Sequence, residues 1–159
     1  MHIDKQDFEQ AVREHSDAML RCAYAYCGSV ADAEDIVQEA FIKYLKKAPQ
    51  FSDENHRKAW LLRVVINLSK NLTLSFRRRN KTDLPEELPD PSDPVKDSEV
   101  WLLVYELPAK YRILVELYYR EGFTIREISE ITGVRVPTVG KRLEKARQLL
   151  KNFYKEEQP

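Results

Sequence analysis

The chain has 159 residues, of which 43% are hydrophobic and 33% charged, so it suits one average domain or two small ones and is too apolar for disorder throughout. Lys+Arg and Asp+Glu number 26 each, and the resulting net charge of zero predicts nothing about nucleic acid until the charges are mapped. No apolar run approaches the roughly 18 residues of a membrane span, and the start, Met1-His2-Ile3-Asp4, lacks the basic and apolar regions of a signal peptide; no membrane insertion and a cytoplasmic location are expected.

In chain order, the first apolar-periodic segment runs from about Lys5 to Cys27 and predicts a helix, with Gly28 as its stop. Cys22 and Cys27 lie five apart on different helix faces, so they read as reduced, small core residues and not as a metal pair. Asp32 is expected to cap a second helix. Ala33, Ile36, Val37, Ala40, Phe41, Tyr44, Leu45 and Ala48 follow helical spacing closely until Pro49 ends it. Asp35, Gln38 and Glu39 share its outward face.

Phe51 to His56 reads as a short polar loop, followed by a long helix from about Arg57 to Phe76. Its apolar stripe, Trp60, Leu61, Val64, Val65, Leu68 and Leu72, lies beside Arg57, Lys58, Arg63 and Lys70, and no acidic residue occurs between Glu54 and Asp83. Trp60 sits on that stripe and is expected in the core. From Asp83 to Asp97 the composition inverts to six acidic residues with Pro85, Pro89, Pro91 and Pro94, an acidic linker dividing the chain in two.

Beyond the linker, Pro108 suits the first turn of a helix reaching Arg120, and Gly122 closes it. Thr124-Ile125-Arg126-Glu127 has the spacing of a capping box and opens a short helix to Thr132, closed by Gly133. Pro137 opens a last helix towards Tyr154. The short capped helix, glycine turn and longer basic helix predict a helix-turn-helix, with Ile125, Ile128, Ile131, Val134, Val139 and Leu143 holding it together. The second helix displays Arg135, Thr138, Lys141, Arg142, Lys145 and Arg147, suited to base edges and phosphates of duplex DNA. A plain helical hairpin with a solvated basic face is the bland alternative. His2, His15 and His56 have no ligand spacing, and no phosphate loop, zinc motif or nucleophile elbow occurs, so no cofactor, metal site or catalysis is expected.

These residues carry a family resemblance. Leu107 to Arg112, Glu121 to Ser129, Gly133 to Val139 and Arg142 to Arg147 closely resemble region 4 of bacterial RNA polymerase sigma factors. Asp32 to Phe41 is similar to their region 2.2, and Lys58-Ala59-Trp60-Leu61 with Asn67 to regions 2.3–2.4. The resemblance spans about Phe8 to Tyr154 and points to the short, extracytoplasmic-function group of the sigma-70 family. It implies an all-α fold: a region 2 helical bundle over 5–80, a flexible acidic linker over 81–97 and a region 4 helix-turn-helix over 98–155. It implies core polymerase binding, on the β′ clamp through Asp35, Gln38, Glu39 and Phe41 and on the β flap through region 4. It implies –10 DNA contacts at Phe51, Asn55, Arg57, Lys58 and Arg63, and –35 contacts at Arg135, Thr138, Lys141, Arg142 and Lys145. Promoter DNA, core RNA polymerase and an anti-sigma factor are the implied partners. Gly140-Lys141 departs from the family, which usually has Lys or Arg before a Ser there. Two other readings stay open: a stand-alone helix-turn-helix regulator, and a sigma-like polymerase adaptor that never melts DNA.

Overall fold

The computed structural model describes residues 4–79 and 99–157, with the side chains of 74–79 and of Glu157 excepted; the acidic linker lies outside them. Every regular element among the described residues is helical: α1 (Lys5–Cys27), α2 (Val30–Lys47), α3 (Glu54–Arg79), α4 (Glu99–Tyr105), α5 (Ala109–Val115), α6 (Ile125–Thr132) and α7 (Val136–Glu157). A π-helical turn, Glu116–Arg120, continues α5. Two small helical domains result, α1–α3 and α4–α7.

Local chemistry sets the boundaries. Asp4 caps α1 by accepting the Asp7 N–H at 2.7 Å. Gly28 ends it in the left-handed region at φ 73°, its N–H on the Tyr24 carbonyl. Ser29, not Asp32, then caps α2. Its backbone is extended and its hydroxyl accepts the Asp32 N–H at 3.3 Å, which leaves Asp32 in the first turn, where its charge complements the helix dipole. α3 begins at Glu54, earlier than the apolar pattern indicates, because the Asp53 carboxylate accepts the His56 N–H at 2.7 Å and caps a polar first turn. Only 48–53 remain as loop.

Met19, Cys22, Ala23, Ile36, Ala40, Tyr44, Leu61, Leu62, Val65 and Ile66 fill the first domain's core. Alanine at 18, 23, 33 and 40 lets the three helices approach closely. In the second domain the capping box is complete: the Thr124 hydroxyl accepts the Glu127 N–H at 3.1 Å, and the Glu127 carboxylate accepts the Thr124 N–H at 2.9 Å. Gly133 closes α6 at φ 79°, and buried Ile128, Ile131, Val139, Leu143 and Ala146 clamp α6 to α7. The two domains are not separate bodies. α1 packs on α5 and the π-helical turn, α3 packs on α6, and the buried residues of both form one continuous core.

Gly140 sits within α7 at an ordinary helical angle, and a Cβ there would meet nothing within 4 Å. Gly140→Ala should therefore stabilise the protein by about 0.5–1 kcal/mol through backbone entropy alone. A raised urea midpoint with unchanged slope is the expected readout, and an unchanged or lowered midpoint would refute it.

Candidate nucleic-acid interface

The recognition-type helix offers an open cationic stripe. Thr138, Lys141, Arg142 and Lys145 follow i, i+3, i+4, i+7 spacing and so share a face of α7, with Arg135 at its start. Arg135, Lys141 and Lys145 are exposed, Thr138 and Arg142 half-buried. None of the cations is held in an ion pair with a described residue. The opposite face, Val139, Leu143 and Ala146, is buried against α6, which fixes the direction the stripe points.

The second cationic surface, at the start of α3, is engaged. Phe51 is half-buried and stacks nearly parallel on Tyr44 at 6.2 Å, with His56 and Trp60 edge-on at 5.2 and 5.9 Å. Trp60 also meets Tyr44 edge-on at 6.1 Å; it packs against the core from its apolar stripe but is only half-buried and reaches the open cleft. Arg57 lies over the Phe51 ring at 5.4 Å, donates to the Tyr44 hydroxyl at 3.1 Å and pairs with Glu54 at 3.4 Å. Lys58 Nζ is 3.1 Å from Glu121 and 5.6 Å from the Phe123 ring centre. Asn55 Nδ2 donates to Glu127 at 2.8 Å. Of the five sequence-predicted residues here, Arg63 alone lacks such a partner among the described residues; it lines an open cleft of about 340 Å³ with Trp60, His56, Glu127 and Ile131.

These contacts belong to a polar seam between the domains. Glu121, its side chain 2% exposed, also takes Arg21 of α1 at 3.2 Å, and the fully buried Glu116 lies 3.9 Å from Arg21 and 3.1 Å from Arg120. Arg120 in turn lies 3.7 Å above the Trp101 ring. Arg112 donates to the carbonyls of Ala25 and Tyr105 at 2.7 and 3.1 Å, and Lys70 to that of Thr132 at 2.6 Å. Burial lowers the Lys70 pKa and raises that of Tyr105. Burial also pushes the Cys22 thiol well up, with the Glu116 and Glu121 charges adding to it, which makes Cys22 a poor nucleophile.

The acidic face of α2 is exposed at Asp35, Gln38 and Glu39, as the spacing predicts. Phe41 departs from that grouping. It is buried, edge-on to Phe8 at 5.9 Å, because position 41 falls on the core side of the helix. Ile42 and Leu45 instead stand 51% and 47% exposed beside the acidic residues, although periodicity put Leu45 on the core stripe. Another feature invisible in spacing joins His15 to Glu54, 39 residues apart, at 3.1 Å, with Glu14 alongside; it ties α1 to the start of α3.

Comparisons with known proteins agree with this geometry. Sigma-70 region 2 matches residues 11–82, and sigma-70 region 4 matches residues 98–150. The chain is similar to the extracytoplasmic-function RNA polymerase sigma factor SigE of Mycolicibacterium smegmatis, 29% identical over 157 residues, covering 92% of this chain and 61% of that protein. It is also similar to SigW of Bacillus subtilis, 29% identical over 170 residues, covering 93% of this chain and 89% of that one. Among solved structures, the fold resembles the sigma factor RpoE from Bartonella quintana, crystallised with the anti-sigma factor NepR. The TM-score is 0.79 at 21% identity, over 96% of this chain and 99% of that one. CnrH, solved with the cytosolic domain of CnrY, matches with a TM-score of 0.66 at 19% identity, over 97% and 91% of the two chains. No helix among the described residues is long and apolar enough to cross a membrane.

Glu127 sits at the junction of capping and domain contact. The Thr124 N–H, assisted by Asn55 and the Thr124 hydroxyl, holds its carboxyl below the usual range against a partial opposing effect of burial. A depressed folded-state pKa means its contribution is complete above the ordinary glutamate value and is lost as pH falls through the folded one. The stability difference between wild type and Glu127→Gln, from urea midpoints, should therefore shrink as pH drops below about 4.3. A difference constant from neutral to acid pH would contradict this.

Proposed function

This chain belongs to the sigma-70 family of RNA polymerase sigma factors, in its extracytoplasmic-function group, and we propose that it directs core polymerase to promoters by dividing the work between its two domains. The observation that carries this reading is the opposition of two exposed helix faces on one small chain. One is the unpaired cationic stripe of α7; the other is the acidic and apolar face of α2. A stand-alone duplex-DNA regulator needs the first and has no use for the second.

The second domain, 98–155, reads duplex –35 DNA. The N-terminal residues of α7, Arg135 and Thr138, meet base edges, and Lys141, Arg142 and Lys145 meet phosphates, where each displaces counterions. The first domain, 5–80, docks on the basic β′ clamp through Asp35, Gln38 and Glu39. Ile42 and Leu45 supply the apolar centre that a stable protein contact requires, and Phe41 holds the face from beneath. The start of α3 captures the –10 strand: Asn55, Lys58 and Arg63 make the contacts, while Phe51 and Arg57 shape the loop through the Tyr44–Trp60 aromatic cluster. The protein itself performs no catalysis; the polymerase supplies it. One solved structure with this fold is a sigma factor bound to an anti-sigma factor and another, CnrH, is bound to the cytosolic domain of CnrY; this chain takes a partner of the anti-sigma kind in the cytoplasm.

Promoter-dependent initiation tests the reading: core polymerase plus this protein, on genomic promoter fragments, should give discrete mapped starts. No promoter-dependent start would overturn it. Arg142→Ala should weaken duplex –35 binding about uniformly and lower the salt slope by about one, leaving core polymerase binding intact. An unchanged slope would remove Arg142 from the phosphate contacts.

A further inference from the structure

His15 serves none of the surfaces assigned above. It is buried, 6% exposed, and its Nε2 lies 3.1 Å from Glu54 Oε2 at the start of α3. Glu14 stands beside them, and one ligand-type atom from each of the three residues lies within 4.8 Å of the other two. The imidazole comes from the domain interior; the two carboxylates stand at the rim, where the Glu54 side chain is 52% exposed. Each carboxylate also has one oxygen held from outside the group. Gln10 donates to Glu14 Oε1 at 3.1 Å, and Arg57 Nε lies 3.4 Å from Glu54 Oε1. For Glu54 this leaves Oε2 turned to the imidazole, while Arg57 is itself drawn to the Tyr44 hydroxyl and the Phe51 ring. Linear spacing gives no ligand set for His15, because one member of the group comes from 39 residues on, in another helix.

We propose that Glu14, His15 and Glu54 form a site for a divalent transition-metal ion of the zinc class, bridging α1 to the first residue of α3. The ligand chemistry suits such an ion: imidazole nitrogen and carboxylate oxygen both bind zinc, with bonds of roughly 2.0–2.2 Å. In a tetrahedral site with bonds of that length, neighbouring ligand atoms stand roughly 3.3–3.6 Å apart. His15 Nε2 and Glu54 Oε2 are already close to that spacing, and Glu14 closes the group by turning its exposed side chain. Two carboxylates balance the two charges of the ion. The hydrogen bond between Nε2 and Oε2 holds one proton, which the ion displaces to Nδ1 or to solvent, so that the Nε2 lone pair becomes the ligand. Gln10 and Arg57 act from behind, as partners that orient ligating carboxylates do. The exposed carboxylates give the ion a path in and leave room for water as a fourth ligand. The imidazole sets the selectivity. Magnesium and calcium prefer shells of oxygen, whereas zinc and its neighbours accept nitrogen. A purely acidic patch would not discriminate in this way. Occupancy would fasten α1 to α3 within the first domain, so its signature is a gain in stability.

Thermal unfolding of the full, untagged chain, stripped with a chelator and titrated with zinc chloride, tests the site. The midpoint should rise by about 5–10 °C once free zinc reaches about one hundred times its dissociation constant. Magnesium chloride at the same concentration should give no rise. Isothermal titration calorimetry should count a single zinc ion per chain. Glu14→Gln and Glu54→Gln, both at the exposed rim, should each weaken zinc binding by about tenfold or more, the loss that even an outer-shell change produces. Their helical content by circular dichroism without zinc should match wild type. His15→Gln should abolish the preference for zinc over magnesium. If that variant loses helical content, cobalt(II) bound to wild type takes its place: ligand-field bands of a nitrogen–oxygen site are expected, with no thiolate charge-transfer band. The thiolate band matters because Cys22 and Cys27 are both free and are the chain's other zinc-type ligands. Four results would each overturn the site: no zinc-dependent rise in wild type, an equal rise with magnesium, zinc binding that survives both Glu14→Gln and Glu54→Gln, or a cobalt spectrum that carries the thiolate band.

Discussion

Glu121 is the side chain on which the arrangement of the two domains depends. Its carboxylate is shared between Arg21 of α1 and Lys58 of α3, two cations that belong to the other domain and reach it from different helices. Taking three charges out of water is costly, so such a bridge adds little net stability over an apolar contact; breaking it by removing one partner costs about 3–5 kcal/mol, because a buried charge is left behind. What it contributes is register. A smooth apolar seam between α3 and α6 would tolerate sliding, whereas only one docking places a carboxylate between those two cations. Glu116, the first residue of the π-helical turn, is buried between Arg21 and Arg120, and Glu121 follows the turn directly. Short π-helical segments inside helices are frequent at functional sites.

The zero net charge of the chain conceals a sorting that the fold makes plain. Cations sit on α7 and along α3; carboxylates sit on the outer face of α2 and at the domain seam. The first set suits a polyanion, and the outer acidic face suits a basic partner. The seam carboxylate Glu121 pairs with one cation of the α3 surface, Lys58, while the α7 stripe meets none of the seam carboxylates. Equal numbers of opposite charges scattered at random would do none of this.

Helix positions were legible because the apolar spacing is strong and the stop signals are local. Gly28, Pro49, Gly122 and Gly133 end elements where the sequence indicates, and the Thr124–Glu127 capping box forms as written. The errors have local causes as well. Ser29 caps α2 in place of Asp32, since both are good caps and only the backbone after Gly28 decides between them. Periodicity cannot separate a core position from the rim of the same stripe, which is why Leu45 turns outward although Phe41, on that stripe too, is buried as the spacing indicates. Nothing in one dimension signals Arg21 with Glu121, His15 with Glu54 or Asn55 with Glu127, pairs separated by 100, 39 and 72 residues. The cationic stripe of α7 could be listed from the sequence because one helix carries it. The state of the α3 surface could not, because another domain determines it.

That asymmetry between the two cationic surfaces has a physical root. The helix-turn-helix is held by contacts between neighbours in sequence, Ile128 and Ile131 against Val139 and Leu143, so the direction in which α7 presents its stripe is set within one domain. The start of α3 is different. Lys58 and Asn55 are met by Glu121 and Glu127 of the second domain, Arg57 by Glu54 and the Phe51 ring, and Arg63 lines the open cleft. The electrostatic surroundings of that surface therefore depend on the contact between the domains, whereas those of the stripe do not.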